Sequence, residues 1–375
     1  MKAEWRKPAP GEREAQERAW PVVRSAFAQR EPVPRKRARW PIVAVAAAAV
    51  VVAAALSPPG VAVLDSIRDA VRGEPNAKPA LFSLPTGRLL VDSEQGVWVV
   101  ERDGSKRLLA GYRDASWSPN GLFLAAISGH EVRALETNGD VHWSIGRPQL
   151  RFPRWSDAGH RDERVAYLSG RTLRVVGGDG RGDHLVGAAA PVPPAWRPRT
   201  HVVAYVDRRG RVIVAEADTR RTLWVARAQQ RPRELEWSAN ARFLLARGAH
   251  SITVFGVDGR SRLEPLGPGA APVADAAFAT SASAVAFVQE ADNRSFLWVY
   301  PRLRPDRTAA RRVFAGAGVF DRVLWSPNDR WLLLSWPSAD QWLFLRSAAV
   351  RKIQPVSGIA AAFGPGAVPA DWCCG

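Results

Sequence analysis

From residue 80 to about residue 356, short apolar runs alternate with polar, turn-forming stretches. The runs at 123–126, 165–168, 202–206, 243–246, 285–288 and 331–334 recur at one place in a repeating unit, and those at 97–100, 132–135, 173–176, 212–215, 252–255, 297–300 and 342–345 at another. They are too short for helices and rich in β-branched and aromatic residues, so they read as strands. Weaker runs such as 107–109 and 222–224 follow a polar turn and supply a further strand per unit.

Each unit opens on an aromatic residue: Phe82, Trp117, Trp155, Trp196, Trp237, Phe278, Trp325 and Phe363. Successive spacings are 35, 38, 41, 41, 41, 47 and 38 residues. The phrase after the anchor is clearest in W-S-P-N-G at residues 117–121 and W-S-P-N-D at 325–329. In Ser118-Pro119-Asn120-Gly121 the proline presets φ at the second position of a type I turn, while Asn and Gly suit the third and fourth. Four short antiparallel strands in a unit of roughly 40 residues make a β-propeller blade. The expected fold is all-β: a seven-bladed β-propeller over residues 80–375, with six or eight blades as alternatives. Phe363 stands too near the end to open another blade and is expected to begin a last strand that returns to the first one. The anchors are expected to wedge between blades, each burying roughly 150–250 Å².

The amino end follows another pattern. Residues 42–56 form an unbroken apolar run of 15, about 22 Å of helix, which Trp40 and the apolar part of 57–64 extend toward the ~30 Å of a bilayer core. Arg35, Lys36, Arg37 and Arg39 precede it, whereas Arg68 and Arg72 beyond it are balanced by Asp65 and Asp69. The positive-inside rule places the amino end in the cytoplasm. Residues 40–63 therefore read as an uncleaved, single-pass signal anchor. A cleaved signal peptide ending at Ala53-Ala54-Ala55 is the competing reading, opposed by the 39 residues ahead of the run. Residues 1–39 form a basic cytoplasmic segment in which Trp20, Val23 and Phe27 lie on one face of a short amphipathic helix, a candidate partner-binding surface. Residues 64–79, rich in Pro and Gly, read as a linker.

W-S-P-N-G followed by an apolar strand resembles the WD40-like repeat of Tol-type periplasmic propellers, whose usual form is W-S-P-D-G. The resemblance spans residues 80–375 and rests on Trp117 and Trp325 most closely. It implies binding of a protein or other ligand at a channel mouth, outside the cytoplasmic membrane.

Charge narrows the partners. The 375 residues carry a formal net charge of +17, with 53 Lys and Arg, almost all Arg. The Arg-bearing stretches 207–211, 220–221 and 311–312 suggest a basic face for anionic headgroups, wall polymers or an acidic protein. Nucleic acid is disfavoured for a domain outside the membrane. Cys373 and Cys374 are adjacent, closer than ordinary disulfide geometry prefers, so no disulfide framework is expected. The His spacings match no zinc motif, and neither a P-loop nor a G-x-S-x-G elbow is present. The glycine-rich stretch 177–183 falls where each unit has its turn between third and fourth strands, and reads as a hairpin loop rather than a phosphate or calcium cradle. No catalytic residue, metal ligand or cofactor is assigned. The expected function is non-catalytic binding, with sensing through the cytoplasmic helix in an anti-sigma-like manner as a variant. A hydrolase or lyase with its site in the central channel is the alternative. Oligomeric state is not set by the sequence.

Overall fold

A computed structural model describes residues 82–374 apart from 159–161, 264–270, 282–283, 302–309 and 348–352. The expected cytoplasmic helix, signal anchor and linker lie outside the described residues.

The strands form seven four-stranded antiparallel sheets. The first blade holds β1 (Arg88–Ser93), β2 (Gly96–Val100) and β3 (Lys106–Ala110), with β28 (Val368–Cys373) added beside β1. The other six blades follow in chain order. Their first strands are β4 (Tyr112–Trp117), β8 (Leu150–Trp155), β12 (Ala195–Trp196), β16 (Glu234–Trp237), β20 (Val273–Phe278) and β24 (Arg322–Trp325). These strands and β28 touch one another in an unbroken cycle, so they line the axis of a closed ring. The carboxyl-terminal strand completes the amino-terminal blade, pairing Leu89 with Trp372 and Arg88 with Cys373. Closure removes the two strand edges an open ring would expose.

The core is divided between the blades. Each of the seven interfaces holds its own apolar cluster. Trp117, for example, packs with Leu90, Val97 and Val99 of the first blade and with Leu124 and Leu135 of its own. Trp155, Trp196, Trp237, Phe278 and Trp325 occupy the same place at the next five interfaces. At the seventh the place belongs to Trp372.

The last placement differs from the expectation. Phe363 is fully buried, yet it ends a short helix, α1 (Ile359–Phe363), and the returning strand begins only at Val368. Phe82 precedes β1 and ends no strand; it packs against Phe363, Trp342 and Phe344. The repeat phrase is split across the chain ends, with Trp372 from one and Pro85-Thr86-Gly87 from the other. Trp372 Nε1 donates to Thr86 O at 2.8 Å, sealing the join.

The turn after the anchor explains the repeated phrase. Ser118 Oγ donates to Asn120 Oδ1 (2.7 Å) and accepts from Phe123 N (3.0 Å), while Asn120 Oδ1 also accepts from Leu122 N (3.0 Å). The same bonds recur at Ser238/Asn240 and Ser326/Asn328. All three serines are fully buried, so each hydroxyl needs these partners. The next residue sits in the left-handed region: Gly121 (φ 67°), Ala241 (φ 60°) and Asp329 (φ 56°). An Arg brackets two of the anchors. Arg88 lies 5.0 Å over the Trp117 ring and donates to Gly121 O, and Arg197 lies 5.5 Å over Trp237 and donates to Ala241 O.

Cys373 and Cys374 are joined as a disulfide with Cα atoms 3.7 Å apart, a bridge between neighbours that ordinary disulfide spacing disfavours. Cys374 takes φ 57°, which turns its side chain back toward its neighbour's. Both sulfurs lie against Gly121, and a Cβ there would collide with Cys374 Sγ. Gly121→Ala should therefore destabilise the protein by about 1–2 kcal/mol or more, since the left-handed cost adds to the collision. Ala241→Gly at the equivalent turn should be neutral or stabilising by up to about 1 kcal/mol. Urea denaturation of the two variants beside the parent checks the contrast.

Candidate functional site

Carboxylates on the axial strands reach across to the next blade's backbone. Glu236 Oε2 accepts from Phe278 N (2.9 Å), Asp275 Oδ2 from Val323 N (2.8 Å) and Asp371 Oδ2 from Trp117 N (3.1 Å). Asp92, near the end of β1 and so one strand out from the axis, reaches the Ala115 backbone of the next blade in the same sense. Burial pushes the carboxyl groups of Glu236 and Asp371 above the ordinary range.

Three blades share an ion cluster at one end of the channel. Arg322 Nη1 lies 3.5 Å from both Glu234 and Asp275, and Arg247 Nε lies 2.9 Å from Glu234 and 4.0 Å from Asp275. Burial drives the Asp275 carboxyl upward despite Arg322. Burial also opposes ionisation of Glu234, but Arg322 and Arg247 together hold it below its usual value. The guanidinium of Arg322 is held firmly charged by Asp275, with Glu234 adding to the effect. Sequence reading missed this cluster.

Asp92, on the strand beside axial β28, is the most direct pH reporter of the first blade. Burial, reinforced by the Asp114 carboxylate and opposed by Arg154, pushes it up to about 6. An unfolded Asp titrates near 3.9. Between those values the folded chain keeps a proton that the unfolded chain has released. Its contribution is therefore fully present below pH ~4 and is lost as pH rises through about 6. Asp92→Asn should stabilise the protein by about 3 kcal/mol at pH 8 and change little at pH 4. Thermal unfolding across pH 4–8 reads the difference.

The two faces of the ring carry recesses. Successive antiparallel strands place alternate loops on opposite faces. One face bears the turn after each anchor and the loop between third and fourth strands. There a recess of about 740 Å³ is lined by Trp155, Arg164, Gly178, Arg181, His184 and Asp218, among others. Arg164 pairs with Asp162 (2.7 Å) and Asp218 (3.3 Å), and His201 sits between the same two carboxylates at 3.3 and 2.9 Å. The glycine-rich stretch is a hairpin loop between β10 (Thr172–Gly177) and β11 (His184–Ala188). Its Asp183 turns inward to Tyr167 (2.6 Å), Arg174 (2.7 Å) and Arg147. Although burial opposes ionisation of Asp183, the bonds from Arg174, Tyr167 and Arg147 hold its pKa below the usual value.

The opposite face has a recess of about 420 Å³ between the fourth and fifth blades. The expected single basic face is not formed. Residues 207–211 join β13 (Val202–Val206) to β14 (Val212–Glu216) on this face, whereas Arg220, Arg221, Arg311 and Arg312 belong to the other. Strand reversal separates stretches that look alike in sequence. Among the described residues no group of three or more His, Cys, Asp or Glu is placed to hold a metal ion, and no helix is long and apolar enough to cross a membrane.

This architecture defines a seven-bladed β-propeller. Solved structures share it. A Kuenenia stuttgartiensis hydrazine synthase chain is 14% identical, with TM-score 0.52, covering 64% of this chain and 78% of its own. The β-propeller domain of Myceliophteria thermophila Cps50 (Swd1) is 13% identical, with TM-score 0.53 over 66% and 86%. KlHsv2 with loop 6CD replaced by a Gly-Ser linker is 11% identical, with TM-score 0.55 over 69% and 89%. At such identities the likeness is one of fold. No protein-family model and no curated protein matches the chain.

Proposed function

We propose that the chain is a membrane-anchored, extracytoplasmic binding propeller and not an enzyme. Residues 40–63 are its signal anchor, the amino end is cytoplasmic, and the ring faces outward as in the Tol-type proteins it resembles. One observation carries the binding role: the fate of the axial charges. Glu236 and Asp371 clasp neighbouring blades, and Glu234, Asp275, Arg247 and Arg322 neutralise one another. These channel charges are spent on holding the ring, while exposed Arg side chains such as Arg208, Arg209, Arg220 and Arg231 lie on surface loops. The partner is a protein or an anionic envelope polymer. The segment around Trp20, Val23 and Phe27 relays the bound state to a cytoplasmic partner in an anti-sigma-like manner.

Crosslinking in native membranes, with photoreactive probes in the surface loops and in residues 1–39, should recover distinct partners on the two sides. Reporter fusions at the carboxyl end should be active only outside the cytoplasm. A reporter active inside overturns the topology, and probes in 1–39 that recover nothing specific overturn the relay. The hydrolase or lyase reading is favoured by one feature, the raised carboxyl of Asp275 on axial strand β20. Asp275→Asn should leave partner capture unchanged. Selective loss of a turnover detected on ester and glycoside panels, with the fold retained, would favour the enzyme instead.

A further inference from the structure

The two faces of the third, fourth and fifth blades differ in charge. On the face of the smaller recess, their loops span 170–171, 189–194, 207–211, 227–233 and 248–251, and these hold seven Arg and one acid. On the opposite face, the described residues of their loops hold seven Arg and seven Asp or Glu. The single acid of the basic face, Asp207, is taken by Arg211 (2.8 Å) and by the backbone of Arg209 and Arg211. Arg171, Arg208, Arg209, Arg227, Arg231 and Arg233 are all exposed, and none has an acidic partner among the described residues.

The recess lies inside this basic field. Arg231 and Arg233 stand at its edge, and Pro191, Val192, Pro232 and Ala249 form its apolar wall. The loops that make it are braced. Gln230 Oε1 accepts from His250 N at 2.8 Å, Arg233 N donates to Arg247 O, and Arg231 Nη2 reaches Arg208 O at 3.5 Å. Pro191, Pro193, Pro194 and Pro232 further limit their backbone freedom. A braced recess loses little order on binding. Unpaired guanidinium groups favour carboxylates through paired N–H···O bonds. The apolar wall offers nothing to a uniformly charged polymer but suits an apolar side chain set between carboxylates.

We infer that this recess is the docking site for an acidic peptide segment of a protein partner, with its carboxylates on Arg231 and Arg233 and an apolar side chain against Pro191, Val192 and Pro232. The inference rests on the reading of the propeller as a binding module and assigns that module a face and a ligand chemistry. Long-range attraction would come from Arg171, Arg208, Arg209 and Arg227, and would weaken with added salt.

The test uses the full-length chain in detergent and a fluorescein-labelled dodecapeptide alternating Glu-Glu with Leu. Fluorescence anisotropy should show saturable binding, lost when Gln replaces every Glu and weakened at least tenfold when Ser replaces every Leu. Arg231→Glu with Arg233→Glu should weaken it at least tenfold, whereas Arg220→Glu with Arg221→Glu on the opposite face should change it less than twofold. Equal losses in the two double variants would overturn the site in favour of diffuse charge attraction. Indifference to the Leu-to-Ser change, with polyphosphate binding more tightly than the peptide, would overturn the peptide in favour of an anionic polymer. A Arg231→Glu/Arg233→Glu chain that still captures its membrane partner would reject this recess while leaving the binding role standing.

Discussion

Deleting residues 368–375 should abolish cooperative folding rather than trim a frayed end. The deletion removes β28, the axial strand of the first blade, and with it the β1 pairing from Arg88 to Asp92. It also removes Trp372, buried among Leu333, Trp342, Phe344 and Leu89, which alone is worth about 3–5 kcal/mol. The Asp371 clasp on Trp117 N and the Trp372 bond to Thr86 go too. A domain stable by ~5–15 kcal/mol cannot absorb these losses together, and the bared edge of β1 invites aggregation. The truncated chain should show no sigmoidal thermal transition by circular dichroism and should collect in the insoluble fraction. Trp372→Ala should fold, with its midpoint lowered by roughly 6–20 °C.

Arg322→Ala should cost about 3–5 kcal/mol, the penalty for removing one partner from a buried ion cluster. Glu234 and Asp275 would be left facing each other with Arg247, which is 2.9 Å from the first and 4.0 Å from the second. Arg322 opposes the rise of the Asp275 carboxyl, so its loss should raise that group further. The variant should therefore be least stable above neutrality, where both acids would otherwise ionise, and should recover part of its stability at pH 5. Replacing all four members, Arg322→Met and Arg247→Met with Glu234→Gln and Asp275→Asn, should cost less than the single change, because no charge is then left without a partner. Urea denaturation of the parent and the two variants at pH 5 and pH 8 checks both the size and the sign.

The blade repeat was legible because one turn imposes strict chemistry. A buried Ser hydroxyl and an Asn carboxamide must meet backbone N–H groups, and the next residue must accept a left-handed backbone. Hence W-S-P-N-G persists at 117–121 and in looser form at 237–241 and 325–329. Ring closure was legible in outline, but its anchor was misplaced. Phe363 is as buried as an anchor, because α1 presses it against Trp98 and Trp342. That insertion displaces the true anchor nine positions along, to Trp372. The cysteine bridge was missed because typical Cα separations argue against neighbours, while a turned-back Cys374 permits it.

The axial cluster went unseen because its members are far apart in sequence. Glu234, Asp275 and Arg322 are separated by 41 and 47 residues, the blade spacings themselves. Aligning charged residues by their place in the repeat would have brought them to adjacent positions on three neighbouring strands. The smaller recess needed the fold outright. Pro191 and Pro232 lie one blade apart, and only strand reversal tells which Arg-rich loops share their face.

The central claim is that the two ends of the described chain form one sheet within a closed ring. Hydrogen exchange read by mass spectrometry on the intact protein tests it. The account predicts that the amides of Val368–Cys373 and of Arg88–Ser93 are protected alike and open together, only in the global unfolding step. Exchange of 368–373 within seconds, while 88–93 stays protected, would contradict it.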